Sequence, residues 1–245
     1  MRETKISAGS YDLNKWLFGG YEKDIITTIY GPAGSGKTNF CTLASASQAK
    51  KGHKVIFIDT EGGFSIDRLK QLIGKEDYND TIKNIFLLKP TNFQEQKQAF
   101  SQLLEKIKGK ENISLIIVDG ITMLYRLELA EAIKEKDESK IKLINSELAK
   151  QLRVLAEIAR KRNIPILATN QVYFEFLSDQ ELKEGKKRAM NMVGGDLLKY
   201  WSKCLIALEH ERGKRKAILK KHRSLKETEL NFIITNQGIK KRGWL

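Results

Sequence analysis

Short apolar runs alternate with longer amphipathic segments along most of this 245-residue chain. The runs have the length and the β-branched content of strands that are buried on both faces. They occupy residues 25–30, 54–59, 85–88, 114–119 and 166–170. Because strands that alternate with helices form parallel sheets, the pattern predicts an α/β fold with a mostly parallel central sheet flanked by helices on both faces.

Two of the intervening segments have a clear helical period. In the segment 91–108, Thr91 and Gln94 fit a capping box. The apolar residues of this segment share one face: Phe100, Leu103, Leu104 and Ile107. A longer stripe runs along the segment 139–162, at Ile141, Ile144, Leu148, Leu152, Leu155 and Ile158. Pro165 then separates this helix from the next strand.

The pattern changes after a short helix near residues 196–203. Three later runs are spaced like the strands of an antiparallel meander, at 205–209, 217–221 and 230–235. Turns at 211–214 and 224–227 would join them. Because no repeat, linker or low-complexity tract interrupts the chain, we expect residues 1–245 to form a single domain.

Residues 31–38 read GPAGSGKT, which is the spacing of a phosphate-binding loop between a strand and a helix. Glycines allow successive backbone N–H groups to turn inward around an anion, and the following helix directs its positive dipole end there. Lys37 can reach the β- and γ-phosphates of ATP, and the Thr38 hydroxyl can ligate Mg²⁺. The predicted ATP site therefore comprises Gly31, Pro32, Ala33, Gly34, Ser35, Gly36, Lys37 and Thr38.

Three polar residues follow other predicted strands and complete a candidate catalytic site. Asp119, at the tip of a neighbouring strand, is suited to hold a magnesium-bound water, although it could also be an ordinary turn residue. Glu61 could orient the attacking water, and the alternative is a solvated loop glutamate. Gln171 could sense the γ-phosphate and pass the signal to the loop that follows it.

That loop, residues 172–193, is long for a compact domain, which favours a functional role. Aromatic and cationic side chains are what single-stranded nucleic acid sites use for stacking and for phosphate neutralisation. The alternative is that the aromatics pack on the domain and the cations are solvated. The candidate DNA-binding residues here are Tyr173, Phe174, Lys183, Lys186, Lys187 and Arg188.

The charge is strongly positive, with 44 basic and 30 acidic residues and a net charge of +14. Residues 183–245 alone contain 17 basic and 6 acidic residues. A localised excess of this kind indicates a polyanionic partner, and it adds Arg212, Lys214 and Arg215 to the candidate DNA contacts. With no apolar signal segment or long apolar run, we expect a cytoplasmic protein, in which Cys41 and Cys204 are reduced and buried.

Taken together, these residues resemble the RecA superfamily, specifically its archaeal and eukaryotic recombinases. The resemblance covers about residues 7–238 and rests on five motifs: GPAGSGKT at 31–38, IDTEGGF at 58–64, LIIVDGIT at 115–122, ATNQV at 168–172 and MVGGDLL at 192–198. It implies a RecA-like P-loop NTPase core that lacks the N-terminal helical DNA-binding domain of the full-length recombinases. It also implies that Arg68 lies against the adenine, and it supports the roles given above to Asp119, Glu61 and Gln171.

The chain departs from the recombinase pattern at three places. Residues 127–139 are acidic and helical in pattern where relatives have an arginine- and glycine-bearing first DNA loop, which weakens the case for strand exchange. Tyr200 stands where recombinases usually carry histidine, and residues 222–226 replace a proline-containing cap. Because those two segments reach a neighbouring subunit's ATP in the family, we expect slow hydrolysis.

The resulting hypothesis is an ATP- and DNA-binding accessory protein of homologous recombination and DNA repair, associated with the nucleoid. The resemblance implies two protein partners, the RadA recombinase and a Holliday-junction resolvase. The main alternative is a circadian-clock-type signalling ATPase that autophosphorylates and does not bind DNA. A small-molecule kinase is a second alternative, but it would need an arginine-rich lid, and no such segment is evident between Glu61 and Asp119. A scaffold with a vestigial nucleotide site is a third, and the intact Lys37, Thr38, Asp119 and Glu61 speak against complete loss of the site.

Overall fold

The computed structural model describes residues 4–109, 112–174 and 190–243. Its strands are β1 (Lys5–Ile6), β2 (Tyr21–Glu22), β3 (Ile26–Gly31), β4 (Lys54–Asp59), β5 (Ile85–Leu88), β6 (Ile113–Asp119), β7 (Ile166–Phe174), β8 (Met190–Met192), β9 (Cys204–Glu211), β10 (Lys214–His222), β11 (Thr228–Thr235) and β12 (Gly238–Lys241). Its helices are α1 (Tyr11–Trp16), α2 (Lys37–Ala49), α3 (Ile66–Ile73), α4 (Tyr78–Ile82), α5 (Phe93–Lys108), α6 (Met123–Lys134), α7 (Glu138–Arg162) and α8 (Gly195–Trp201).

The central sheet has the strand order β12-β11-β10-β9-β3-β7-β6-β4-β5, and β8 pairs with the end of β7. Six neighbouring strands of this sheet are parallel: β5, β4, β6, β7, β3 and β9. Strands β9, β10, β11 and β12 then form an antiparallel meander. The predicted fold class is therefore confirmed: a mostly parallel sheet carries antiparallel strands at its C-terminal end.

Side chains that alternate along the inner strands fill two separate cores, one on each face of the sheet. In β4, Val55 and Phe57 enter one core, while Ile56 and Ile58 enter the other. Helices α1, α2 and α3 cover the first core, and α5, α6, α7 and α8 cover the second. Both faces must be apolar because both are covered, which explains the uninterrupted apolar runs in the sequence.

Most predicted elements are present with shifted ends. The helix predicted at 139–162 is α7, which begins one residue earlier, and the strand predicted at 166–170 continues to Phe174. The helical pattern at 127–139 is interrupted, because α6 ends at Lys134 and Lys136 has a positive φ of 55° before α7 begins. Sequence periodicity did not reveal the short elements α1, β1, β2 and β12, which contain too few turns or alternations to show a period.

The predicted capping box of α5 is wrong by one residue. The N-cap is Asn92, whose side-chain oxygen accepts a hydrogen bond from the backbone N–H of Glu95 at 2.8 Å. The Glu95 carboxylate in turn accepts from the backbone N–H of Thr91 at 2.7 Å. Asparagine is a strong N-cap residue, and here it begins the helix one residue later than Thr91 would.

The outer strand β12 is covered along its free edge by the start of α1. The Ser10 hydroxyl donates to the carbonyl oxygen of Ile239 at 2.6 Å, and Asp12 accepts from the backbone N–H of Lys241 at 2.7 Å. Side chains thus satisfy backbone groups that would otherwise pair with another strand. Cys41 and Cys204 are buried free thiols, as predicted. No helix among residues 4–109, 112–174 and 190–243 is both long and apolar enough to cross a bilayer.

Candidate functional site

The polar residues predicted for catalysis lie along one edge of the sheet, where the parallel strands β3, β7, β6 and β4 all end. One expectation about this edge is wrong: Asp119 does not lie on a strand next to the phosphate loop. Strand β7 lies between β3 and β6, and it pairs with both. The intervening strand β7 carries two buried polar residues, Thr169 and Asn170, between the phosphate loop and the strand that ends at Asp119.

The loop at 31–38 has the backbone of an anion cradle. Gly34 and Gly36 have positive φ values of 72° and 109°, which favour glycine. A Cβ atom at Gly31 would lie 2.4 Å from the carbonyl oxygen of Leu208, so only glycine fits beside β9. Gly36 is the N-cap of α2 and offers no side-chain cap, so the first N–H groups of this helix are available to an anion.

Lys37 is buried, although it carries the charge expected to meet phosphate. Its ammonium group donates to the carbonyl oxygens of Gly31 and Pro32, both at 3.0 Å. Burial lowers the pKa of Lys37, while the nearby carboxylates of Glu61 and Asp119 act in the opposite direction. The lysine is thus held within the loop by backbone acceptors and lies in the field of two acidic side chains.

Asp119 is fully buried at the end of β6. One carboxylate oxygen accepts a hydrogen bond from the Thr169 hydroxyl, and the other has no hydrogen-bond partner among the described residues. Burial raises the pKa of Asp119 to about 6, whereas the hydroxyls of Thr169 and Thr38 lower it. A buried carboxylate oxygen without a partner is costly in an isolated protein and is suited to a cation or a cation-bound water.

Asp59 and Thr60, which we did not predict, fix the loop that carries Glu61. The Asp59 carboxylate accepts from the backbone N–H groups of Gly63 and Phe64 at 3.1 and 2.9 Å. The Thr60 hydroxyl donates to the carbonyl oxygens of Asp119 and Gly120 at 2.9 and 2.7 Å. An acidic residue at a strand end, with glycines three and four residues later, was the available sequence signal for this turn.

Glu61 and Gln171 are brought together, although 110 residues separate them in the sequence. Gln171 pairs in register with Gly31 of the phosphate loop. Both side chains line one small pocket, together with Arg126 of α6 and Val193. One carboxylate oxygen of Glu61 is buried and has no hydrogen-bond partner among the residues that the structure describes. The pair therefore faces a common space beside the phosphate loop.

Comparison with known proteins identifies the family to which the chain belongs. The family model described as Rad51 matches residues 2–242. The chain belongs to the Rad51 family. It is 44% identical over 228 residues to the DNA repair and recombination protein RadB of Methanococcus maripaludis strain C7, covering 93% of this chain and 96% of that protein. The RadB proteins of Methanocaldococcus jannaschii and Methanobrevibacter smithii are 40% and 39% identical, each over 93% of this chain and over 98% and 92% of their own lengths. The resemblance inferred from the motifs is thereby confirmed.

Arg68 lies beside the start of α2 in this Rad51-family chain. Its Nε atom donates to the side-chain oxygen of Asn39 at 2.9 Å, and one terminal nitrogen donates to Gln71 at 3.0 Å. Asn39 directly follows Thr38, so the guanidinium group is next to the predicted phosphate site. Its expected contact with adenine remains a prediction.

The predicted DNA-binding residues fall into three groups. Lys183, Lys186, Lys187 and Arg188 lie outside the described residues, as does the side chain of Phe174, and Tyr173 is about half exposed on β7. Arg212 and Lys214 are exposed at the β9–β10 turn. Arg215 differs from these, because one of its terminal nitrogens donates to the carbonyl oxygen of Gly34 at 3.4 Å. The structure therefore connects this predicted DNA contact to the phosphate loop.

Asn170 is a further buried polar residue that sequence reasoning missed. It accepts a hydrogen bond from the Thr122 hydroxyl, and its amide donates to the carbonyl oxygen of Val193 at 2.7 Å. This connects the turn after β6 with the segment that follows β8. The NQ pair at the end of the predicted strand was the only signal, and it drew attention to Gln171 alone.

Proposed function

We propose that this protein is an ATP-binding, DNA-binding accessory protein of homologous recombination and DNA repair. The observation that carries the proposal is the arrangement around the phosphate loop. Lys37, Glu61 and Asp119 meet there, in a chain that resembles proteins named for DNA repair and recombination. ATP binding, the DNA partner and the accessory role are the parts that experiments must test.

The residues present fit a magnesium-bound triphosphate. The loop offers backbone N–H groups with glycine-dependent geometry, and Lys37 lies within reach of the same space. The unpartnered oxygen of Asp119 and the Thr38 hydroxyl would hold the cation, directly or through water. When bound, Mg²⁺ would neutralise the charge on the phosphate oxygens.

Hydrolysis would depend on Glu61 and Gln171, which share a pocket beside the loop. Glu61 would accept a hydrogen bond from the attacking water and orient it, and Gln171 would report nucleotide occupancy to the segment after β7. We expect a low rate, because the arginine of the 222–226 segment is already engaged within its own chain. Arg223 donates to Glu22 at 2.8 Å and to Asp24 at 2.7 Å.

DNA is the partner that the charge distribution supports. Residues 183–245 contain 17 basic and 6 acidic residues, so DNA affinity would come largely from counterion release and would fall with salt. Strand exchange by this chain alone is not part of the proposal, because residues 127–139 are acidic. We propose two protein partners from the family resemblance, the RadA recombinase and a Holliday-junction resolvase.

The proposal can be tested with Lys37→Ala and a matched control, Lys51→Ala. Lys51 is exposed, and its side chain forms no ion pair with any residue in the described ranges. Loss of a charged hydrogen-bond donor should weaken ATP binding by about 2 kcal/mol, which is about thirtyfold in Kd, whereas the control should bind normally. Calorimetric titration with MgATP measures both. Equal affinities would refute the nucleotide-site assignment, and a DNA titration would separate the proposal from the signalling ATPase.

A further inference from the structure

A groove of about 860 Å³ lies between α1 and the strands β10, β11 and β12, on the side of the sheet that carries the phosphate loop. Its lining includes five cationic residues and two acidic ones. The cationic residues are Lys15, Lys214, Arg215, Lys241 and Arg242. The groove is separate from the pocket that Glu61 and Gln171 share.

Both acidic residues of the groove are engaged by other groups. Glu229 lies 3.2 Å from the ammonium nitrogen of Lys216, and Asp12 accepts the backbone N–H of Lys241. Within the part of the chain that the structure describes, none of the five cations forms an ion pair. Five cations against two carboxylates leave the groove with an excess of positive charge. Concave surfaces with an excess of one sign concentrate the field, so this groove attracts a polyanion.

An aromatic side chain lies at the same groove. Tyr11 is the first residue of α1 and is 78% exposed, the largest exposure among the large hydrophobic residues described. Exposed aromatic rings next to cations are the surfaces on which unpaired bases stack, while the cations contact the phosphates. An acidic peptide would use the cations but would gain little from the ring. The combination therefore favours a single-stranded nucleic acid.

Arg215 connects the groove to the phosphate loop. Its terminal nitrogen donates to the carbonyl oxygen of Gly34 at 3.4 Å, and its buried Nε atom has no partner among the described residues. Strand β11 also supports the loop, since a Cβ atom at Gly36 would lie 3.0 Å from Ile234. A phosphate that drew Arg215 towards the groove would change its contact with Gly34, and a nucleotide that fixed Gly34 would hold Arg215.

We propose that this groove binds a single-stranded nucleic acid and that Arg215 couples its occupancy to the phosphate loop. The proposal rests on the DNA binding proposed above and assigns it a surface outside the loop 172–193. Because coupling between two sites is reciprocal, MgATP and the oligonucleotide alter each other's affinity by the same factor.

The test measures fluorescence anisotropy of a labelled oligothymidylate at several salt concentrations, with and without MgATP. The groove variant is Lys241→Gln/Arg242→Gln, and the control is Lys51→Gln/Lys75→Gln, which removes the same charge from two exposed lysines elsewhere. Each lost contact with a single strand should reduce the salt slope by about 0.7. We expect the groove variant to bind about tenfold more weakly with a slope lower by about 1.4, and the control to change less than about twofold.

Three single variants, at Tyr11 and Arg215, complete the test. Tyr11→Ala should weaken binding by at least about fivefold and Tyr11→Phe should restore it, since stacking needs the ring and not the hydroxyl. Arg215→Gln should remove the effect of MgATP on oligonucleotide affinity. If MgATP changed the oligonucleotide affinity of Arg215→Gln as much as that of the parent protein, the proposed coupling through Arg215 would be overturned.

The outcomes separate this inference from the broader proposal. If the parent protein binds no oligonucleotide even at low salt, the proposed DNA-binding function fails. If the parent binds but the groove and control variants weaken equally, the groove is not the site and DNA binding stands. If the groove variant loses binding of labelled polyglutamate and retains the oligonucleotide, the groove takes an acidic protein segment, and the inference is overturned.

Discussion

Thr169 donates its hydroxyl hydrogen to the carboxylate of Asp119, across two neighbouring parallel strands. The same hydroxyl oxygen accepts the backbone N–H of Gly120 at 2.7 Å. One side chain on β7 therefore orients the predicted magnesium ligand and satisfies the turn that follows it. This dual role makes Thr169 a positioning residue of the site.

Replacing Thr169 with valine keeps its shape but removes both hydrogen bonds. Because the hydroxyl lowers the pKa of Asp119, that pKa should rise further above about 6 in Thr169→Val. The pH midpoint for magnesium-dependent ATP binding should move upward, and the unpaired Gly120 N–H should cost about 1–3 kcal/mol of stability. Thr169→Ser should restore both properties. A midpoint that is the same in all three proteins would contradict this role.

Asp119 should make the protein less stable as the pH rises, in the absence of Mg²⁺ and nucleotide. Its pKa of about 6 in the folded state lies above the ordinary value of 3.8, so the folded state binds the proton more tightly. This stabilising contribution is complete below about pH 4 and is lost as the pH passes through 6. Relative to the parent, Asp119→Asn should gain about 2 kcal/mol between pH 4.5 and 7.5.

Urea unfolding of both proteins across this pH range measures the difference. Ser114→Ala, on the same strand, serves as the control because it changes no ionisable group. A constant difference between Asp119→Asn and the parent at all pH values would show that the Asp119 pKa is not raised by folding.

Asp59 should contribute more to stability than its position at a loop suggests. Asp59→Ala would leave two backbone N–H groups, of Gly63 and Phe64, without their charged acceptor. We expect a loss of about 2–4 kcal/mol in urea unfolding and weaker ATP hydrolysis, because the turn positions Glu61. Asp67→Ala, at an exposed position in the first turn of α3, should cost under about 1 kcal/mol. Equal losses in the two variants would exclude an anchoring role for Asp59.

The sheet could be predicted well because its strands are covered on both faces. A strand that packs against two cores is apolar at successive inner positions, so the runs 55–58 and 115–118 stood out without alternation. The long helix α7 showed its period over 25 residues. By contrast, α1 and β12 are short and depend on each other, and only their hydrogen bonds in the folded chain identify them.

By itself, the sequence determined the backbone geometry of the loop at 31–38, since glycine at fixed spacing between a strand and a helix reflects local conformation. It also determined the fold class, through burial that every inner strand shares. Only the tertiary structure decided that β7 lies between β3, which leads into the loop at 31–38, and β6, which ends at Asp119. It also decided that Asp59 anchors the turn carrying Glu61, and that Arg215 contacts Gly34. These relationships join residues that are distant in the chain. Strand order and side-chain direction bring them together, and the local sequence pattern encodes neither.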